Sequence, residues 1–268
     1  MEPEAQDFLK RIVQTVSMGI LFLLLHMTFG LYLNWAFPHS AMPPAPGPLR
    51  YEIHRHGGED WVFVSALLFR QAGLHLPNLP LPRLSYPQFN LRAYVLDPDG
   101  VASVLFWRML VPAWVVPGAR LVGRQNADSA RFDYPESPAF CDQQGATWRV
   151  TGGGDLEVSA VPGAAVLGEG PRLASWETLV DTIRQRPRGY GQRGRGLARV
   201  STTHAAVEVV PVRATLGASS LLRASAPPIG VDVWPPLHSA WLCPSIPFAF
   251  DFGLLPAVEG ASPTPQPV

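Results

Sequence analysis

From Ile12 to Phe37 the chain is almost continuously apolar and carries no charged side chain. Ile12 to Leu33 spans roughly the twenty residues that a helix needs to cross a bilayer core. Lys10 and Arg11 stand just before it, and Tyr32, Trp35 and Phe37 lie at its far end, where an aromatic belt would sit. Pro38 and the run Pro43-Pro44-Ala45-Pro46-Gly47-Pro48 then stop any helix. The pattern predicts a single transmembrane helix within an N-terminal region 1–37. The apolar run is too long, and lacks the small-x-small site, for a cleaved signal peptide. Gln14, His26 and Asn34 favour the alternative, a buried first element of the domain itself.

After residue 50 the rhythm becomes that of strands. Trp61 to Phe69 reads as a buried strand rich in aromatic and branched residues. Phe89 to Leu96 and Val101 to Met109 flank Asp97-Pro98-Asp99-Gly100, a strong turn signal, and predict a hairpin. Thr147 to Thr151 and Leu156 to Val161 flank Gly152-Gly153-Gly154 and predict a second hairpin. Val200 to Leu216 adds one or two strands, with Pro211 at an edge or bulge. One helix is expected from Ser175 to Pro187, with Trp176, Leu179, Val180 and Ile183 on one face. The organisation predicted is therefore 1–37 anchor, 38–223 β-rich domain and 224–268 Pro-rich extension, irregular and ending in a tail.

Composition narrows the function classes. Twenty-one basic residues balance twenty-one acidic ones, which argues against a nucleic-acid binder needing a broad basic surface. The flanking charges place the N-terminus in the cytoplasm and the main domain outside, which in a bacterium is the periplasm. The two cysteines, Cys141 and Cys243, would be able to form a disulfide in that compartment. No CxxC, HExxH, GxSxG or Walker loop occurs, so no cofactor or metal is implied.

The stretch Tyr86-Pro87-Gln88-Phe89-Asn90-Leu91-Arg92-Ala93-Tyr94-Val95, followed by Asp99-Gly100-Val101 and Val104-Leu105-Phe106-Trp107, resembles the YqjF-like family of unknown function. Further matches fall at Trp176 to Leu179, Gly189-Tyr190 and Val200 to His204. The resemblance covers about residues 28–216 and is specific mainly at 86–107. It implies the fold of acetoacetate-decarboxylase-like proteins, a mainly β, antiparallel barrel or cone with an internal cavity. It also places a first strand near Phe29 to Phe37, in competition with the anchor. The decarboxylase relatives use a desolvated lysine as a Schiff base. Lys10 is the only lysine in this chain and lies outside the resemblance, so that mechanism is excluded.

Four residues are candidates for ligand binding. Asn90, Arg92 and Tyr94 alternate on one strand face, and Trp107 lies on the following strand. Arg92 has the geometry to clamp a carboxylate in two-point fashion, or to serve as a structural arginine. Glu52, His54 and His56 also share a strand face, but no strong further ligand stands beside them. The run Arg184, Arg186, Arg188, Arg193, Arg195, Arg199 is free of acidic residues and suits an anionic partner or lipid headgroups, or a solvated loop.

Two functions follow. One is a membrane-anchored, non-catalytic accessory subunit of a respiratory or photosynthetic complex, with protein subunits as partners. The other is a carboxylate-binding protein or enzyme that uses the barrel cavity without Schiff-base chemistry.

Overall fold

The computed structural model describes residues 26–74, 84–121, 125–135, 145–163, 186–193, 196–204, 209–231 and 233–251. In chain order the strands are β1 (His26–Pro38), β2 (Arg50–Tyr51), β3 (His54–His56), β4 (Glu59–Leu74), β5 (Leu84–Leu96), β6 (Ala102–Val111) and β7 (Ala127–Ser129). They continue as β8 (Arg131–Asp133), β9 (Ala146–Thr151), β10 (Asp155–Pro162), β11 (Arg188–Arg193), β12 (Gly196–His204), β13 (Val210–Leu216) and β14 (Ser239–Asp251). Two short helices, α1 (Val116–Leu121) and α2 (Ser220–Ser225), punctuate the strands.

The apolar run that suggested a membrane anchor is split by β1. Residues 26–38 form a strand that pairs with β4 along one edge and β14 along the other. Its odd positions, Leu31, Leu33, Trp35 and Phe37, enter one buried cluster, and Tyr32 and Ala36 enter another. A strand buried on both faces needs apolar residues at every position, and this produced the unbroken hydropathy of a membrane helix. Only residues 12–25 of the apolar run remain, which lie outside the described residues and are too few to cross a bilayer as a helix. No helix among the described residues is long and apolar enough to cross a membrane. The expected single-pass anchor is therefore corrected, and with it the inside–outside placement and the membrane-complex subunit that rested on it.

β4 repeats the logic. Val62, Val64, Ala66 and Leu68 face the larger cluster, and Phe63, Leu67 and Phe69 the smaller. Glycine is required where β1 meets β4, because a Cβ on Gly30 would lie 2.4 Å from that of Phe69. The predicted hairpins are present: β5 and β6 pair around Asp97 to Gly100, and β9 and β10 around Gly152 to Gly154. Gly100 takes a positive φ of 76°, the backbone that this turn requires.

The strand order is β1-β4-β5-β6-β11-β12-β14-β13-β10-β9-β8, with β2, β3 and β7 added at the sides. The mainly β character expected holds. The sheet, however, is mixed, because β6 runs parallel to both β11 and β7. Nor does it simply close on itself: it branches at β14, which meets β1 on one side and β12 and β13 on the other, and continues to a free edge at β8.

The Pro-rich extension also differs from expectation, since its residues 239–251 form β14. Ala240 and Leu242 point into the larger cluster and Trp241 and Cys243 into the smaller, so the final strand is core. The helix expected from Ser175 lies outside the described residues.

Candidate ligand site

The register of four neighbouring strands sets a row of polar side chains into an apolar sheet. Ser239 of β14 stands opposite Asn34 of β1, Asn34 opposite Ser65 of β4, and Ser65 opposite Arg92 of β5. Asn34, Ser65 and Ser239 are fully buried or nearly so. Each interrupts a strand that is otherwise apolar, and a buried polar group is costly unless it is hydrogen-bonded. Asn34 Nδ2 donates to Ser239 Oγ at 3.3 Å, and the Tyr94 hydroxyl donates to Asn34 Oδ1 at 3.4 Å. Arg92 Nε donates to Ser65 Oγ at 3.0 Å.

Aromatic rings flank this row. Tyr32 stacks on Trp241 with ring centres 3.9 Å apart and planes 11° from parallel. The Arg92 guanidinium carbon lies 5.9 Å from the centre of Tyr32 and 5.6 Å from that of Tyr94, and Arg186 lies 4.9 Å from the centre of Tyr94. The result is a ladder, Trp241–Tyr32–Arg92–Tyr94–Arg186, that alternates rings with cations. Burial pushes the Tyr32 hydroxyl well above its usual range, opposed by the charge of Arg92, so it stays protonated.

The two arginines of the ladder differ in one respect. Arg186 is buried and paired with Glu52. Arg92 is held by Ser65 and by the two rings, and no carboxylate among the described residues neutralises it. Counting charges on this face gives two guanidiniums and one carboxylate, a surplus of one positive charge. At one end of the face, His54 and His238 contact opposite sides of the network through Phe63, each with ring centres 5.0 Å from it. Burial lowers the His54 pKa below its ordinary value, Arg186 lowers it further, and Glu52 opposes both.

A second arginine site lies at the β5–β6 turn. Asp97 is fully buried and accepts from Arg188, from the Tyr190 hydroxyl at 3.0 Å and from the backbone N–H groups of Asp99 and Val101, each at 2.9 Å. Arg188 also reaches Asp99 at 2.6 Å. Burial alone would raise the Asp97 carboxyl pKa, but bonds from Arg188, Val101 and Tyr190 hold it below its ordinary value. This arrangement locks the turn to β11.

Of the predicted site residues, Asn90, Arg92 and Tyr94 share one face of β5, with Asn90 accepting from Gln88 Nε2 at 2.8 Å. Trp107 packs instead against the larger cluster, away from Tyr32 and Tyr94. The basic run is not the free anionic-partner loop expected, because Arg186 pairs with Glu52 and Arg188 with Asp97 and Asp99. The backbone of Arg193 ends β11, whereas Arg184 and Arg195 lie outside the described residues. Cys243 is buried on β14, and Cys141 lies outside the described residues. No three metal-ligating side chains come together among the described residues, and Glu52, next to His54 and His56, is engaged by Arg186. Sequence reasoning missed Tyr32, Asn34, Ser65, Ser239 and Trp241. Their signal was a lone polar residue in an apolar strand, readable only once the register aligned them.

Solved structures with this fold are enzymes. An acetoacetate decarboxylase from Legionella pneumophila subsp. pneumophila str. Philadelphia 1 superposes with a TM-score of 0.51, covering 88% of this chain and 87% of the other at 11% identity. The enduracididine biosynthesis enzyme MppR, with HEPES buffer bound, gives 0.50 over 89% of each chain at 10% identity. At these identities the likeness establishes the acetoacetate-decarboxylase-like fold alone. No curated protein matches the chain. Residues 27–243 match DUF2071, described as an uncharacterized conserved protein, and the chain belongs to that family, the YqjF-like one that its β5–β6 sequence resembles.

Proposed function

We propose that this protein binds a small carboxylate on the Arg92 face, and that any chemistry there proceeds without a lysine Schiff base. The observation that carries the reading is the uncompensated guanidinium of Arg92. A partly buried cation normally has a counter-ion, because desolvating it alone is expensive. Here its Nε is fixed by Ser65 and its plane is flanked by Tyr32 and Tyr94, while the terminal nitrogens have no protein partner among the described residues. Such a guanidinium is pre-organised for the two-point recognition of a carboxylate. The surplus charge on this face equals that of one such ligand.

The fold supports the same reading. Pairing of β1 with both β4 and β14 curls the strands that carry the polar row, and we propose that the Arg92 face lines the cavity this curvature creates. Soluble enzymes of this fold act on small molecules, and the fold likeness favours a small-molecule site over a docking scaffold. A decarboxylation of the Schiff-base type has no residue to carry it, since Lys10 is the only lysine.

Thermal unfolding in the presence of small monocarboxylates, acetate to benzoate, tests the reading. A ligand bound only by the folded state raises Tm with its concentration. The expected result is a concentration-dependent rise in the parent protein that Arg92→Gln abolishes. Equal shifts in both proteins, or none in the parent, would refute it.

A further inference from the structure

A cleft of about 510 Å³ opens where β6 changes partners. On one edge β6 pairs with β11 through Ser103 to Phe106 and with β7 through Met109 to Val111. Trp107 and Arg108 fall in the gap between them. On the other edge the register against β5 slips at the same place, because Arg92 faces Phe106 and Leu91 faces Arg108. Trp107 is therefore the extra residue of a bulge and has no strand partner on either side. Bulges recur beside functional sites, where they re-aim a side chain.

The cleft's walls have a definite chemistry. Trp107 and Met109 give an apolar surface, and Gln125, Asn126 and Gln192 give carboxamides. Gln125 is buried, and its Oε1 lies 2.4 Å from where a Cβ on Gly191 would sit, so glycine at 191 makes room for that carboxamide. No acidic or basic side chain lines the cleft. Tyr51 is its one titratable group, and burial pushes that phenol up to about 12, so it too stays neutral. Four prolines form much of the remaining wall and offer carbonyl acceptors without backbone donors.

We infer that this cleft is a second binding site, for an uncharged, flat ligand with an amide-type hydrogen-bonding edge. A charged ligand would lose its hydration here and gain no counter-charge. A planar ring has Trp107 to pack on, and an amide edge, donor and acceptor together, matches the carboxamides and the proline carbonyls. The volume falls within the usual range of small-molecule sites, roughly 300–1,000 Å³. The inference does not depend on the carboxylate reading of Arg92.

Benzamide and benzoate have nearly the same shape and differ in charge, so the pair separates the two sites. The experiment is a protein-observed NMR titration of each compound into full-length Arg92→Gln protein, which removes the carboxylate site, and into the parent. Benzamide is expected to shift resonances around the cleft in both proteins, at least about tenfold more tightly than benzoate does there. Trp107→Leu is expected to weaken benzamide about tenfold by removing the ring platform. Gln192 is exposed, so Gln192→Ala keeps the fold and supplies a second test if Trp107→Leu does not fold. Its expected effect is a several-fold weakening of benzamide alone. No benzamide binding at the cleft, equal affinity for benzoate there, or unchanged affinity in the cleft variants would overturn the inference. Failure of benzoate to bind the parent at Arg92 would instead count against the carboxylate site and leave this one standing.

Discussion

Arg188 and Arg92 lie in the same sheet and are treated in opposite ways. Arg188 meets Asp97 and Asp99, and Asp97 in turn collects a tyrosine hydroxyl and two backbone N–H groups. Every charge there has its counter-charge inside the fold. Arg92 has a serine and two rings but no acid among the described residues. The first arrangement is a closed structural lock. The second leaves recognition capacity unspent, which is what a binding site retains at some cost in stability. An arginine's role is thus read from what neutralises it rather than from its burial.

Breaking the lock should have the largest effect. Asp97→Ala leaves Arg188, Tyr190 and two turn N–H groups without their acceptor, and should destabilise the fold by about 3 kcal/mol or more, read by denaturant unfolding. The lock also predicts a pH dependence. The Asp97 pKa is lowered in the folded state, so its contribution is fully present above the unfolded value, about 3.9, and is lost as pH falls through the folded value. Stability of the parent should therefore drop in acid below about pH 4, and Asp97→Asn should flatten that drop. An unchanged acid limb would show that the lock contributes little.

At Arg92 the expected pattern reverses. Arg92→Gln should cost roughly a hundredfold in carboxylate affinity, yet change unfolding free energy by no more than about 1 kcal/mol in either direction. A destabilisation as large as that of Asp97→Ala would mean that Arg92 is a second structural lock, and the contrast would fail. Ser65→Ala tests positioning one step removed. It deletes the bond to Arg92 Nε and should weaken carboxylate binding about tenfold, with recovery in Ser65→Thr, which keeps the hydroxyl. Equal loss in both variants would point to packing rather than to the hydrogen bond.

The smallest effect concerns His54. Its folded pKa is lowered mainly by burial, so the neutral form is favoured in the fold. Stability contributed by this group is present above the unfolded value of about 6.5 and declines as pH falls from there through the folded value. Between about pH 7 and 5, stability should fall slightly in the parent and not in His54→Asn, as measured by equilibrium unfolding. If the two curves run parallel, His54 takes no part.

Much of the β architecture was legible because strand signals are local. The turn at Asp97 to Gly100 and the glycines 152–154 announce their hairpins, and Trp61 to Phe69 announces β4. The β5 motif also placed Asn90, Arg92 and Tyr94 on a common face. Two things were not legible, for physical reasons. A strand buried on both faces has the same hydropathy as a membrane helix, so β1 read as part of an anchor until its pairing with β4 and β14 was known. β14 was hidden differently, by Pro244 and Pro247 in a stretch that lacks alternation. The site itself depends on register: Ser239, Asn34 and Ser65 are far apart in the chain, and only cross-strand pairing aligns them with Arg92. Trp107 was grouped with Arg92 on sequence proximity, and the bulge at that position sends it elsewhere.

The central claim is that the terminal nitrogens of Arg92 await a carboxylate. The most direct measurement is the NMR spectrum of arginine guanidinium groups in the parent, assigned with Arg92→Gln and titrated with benzoate. The account predicts that the Arg92 Nη–H signals exchange rapidly with water in the free protein, then shift and slow as benzoate is added. Signals already slow in the free protein and indifferent to benzoate would contradict it.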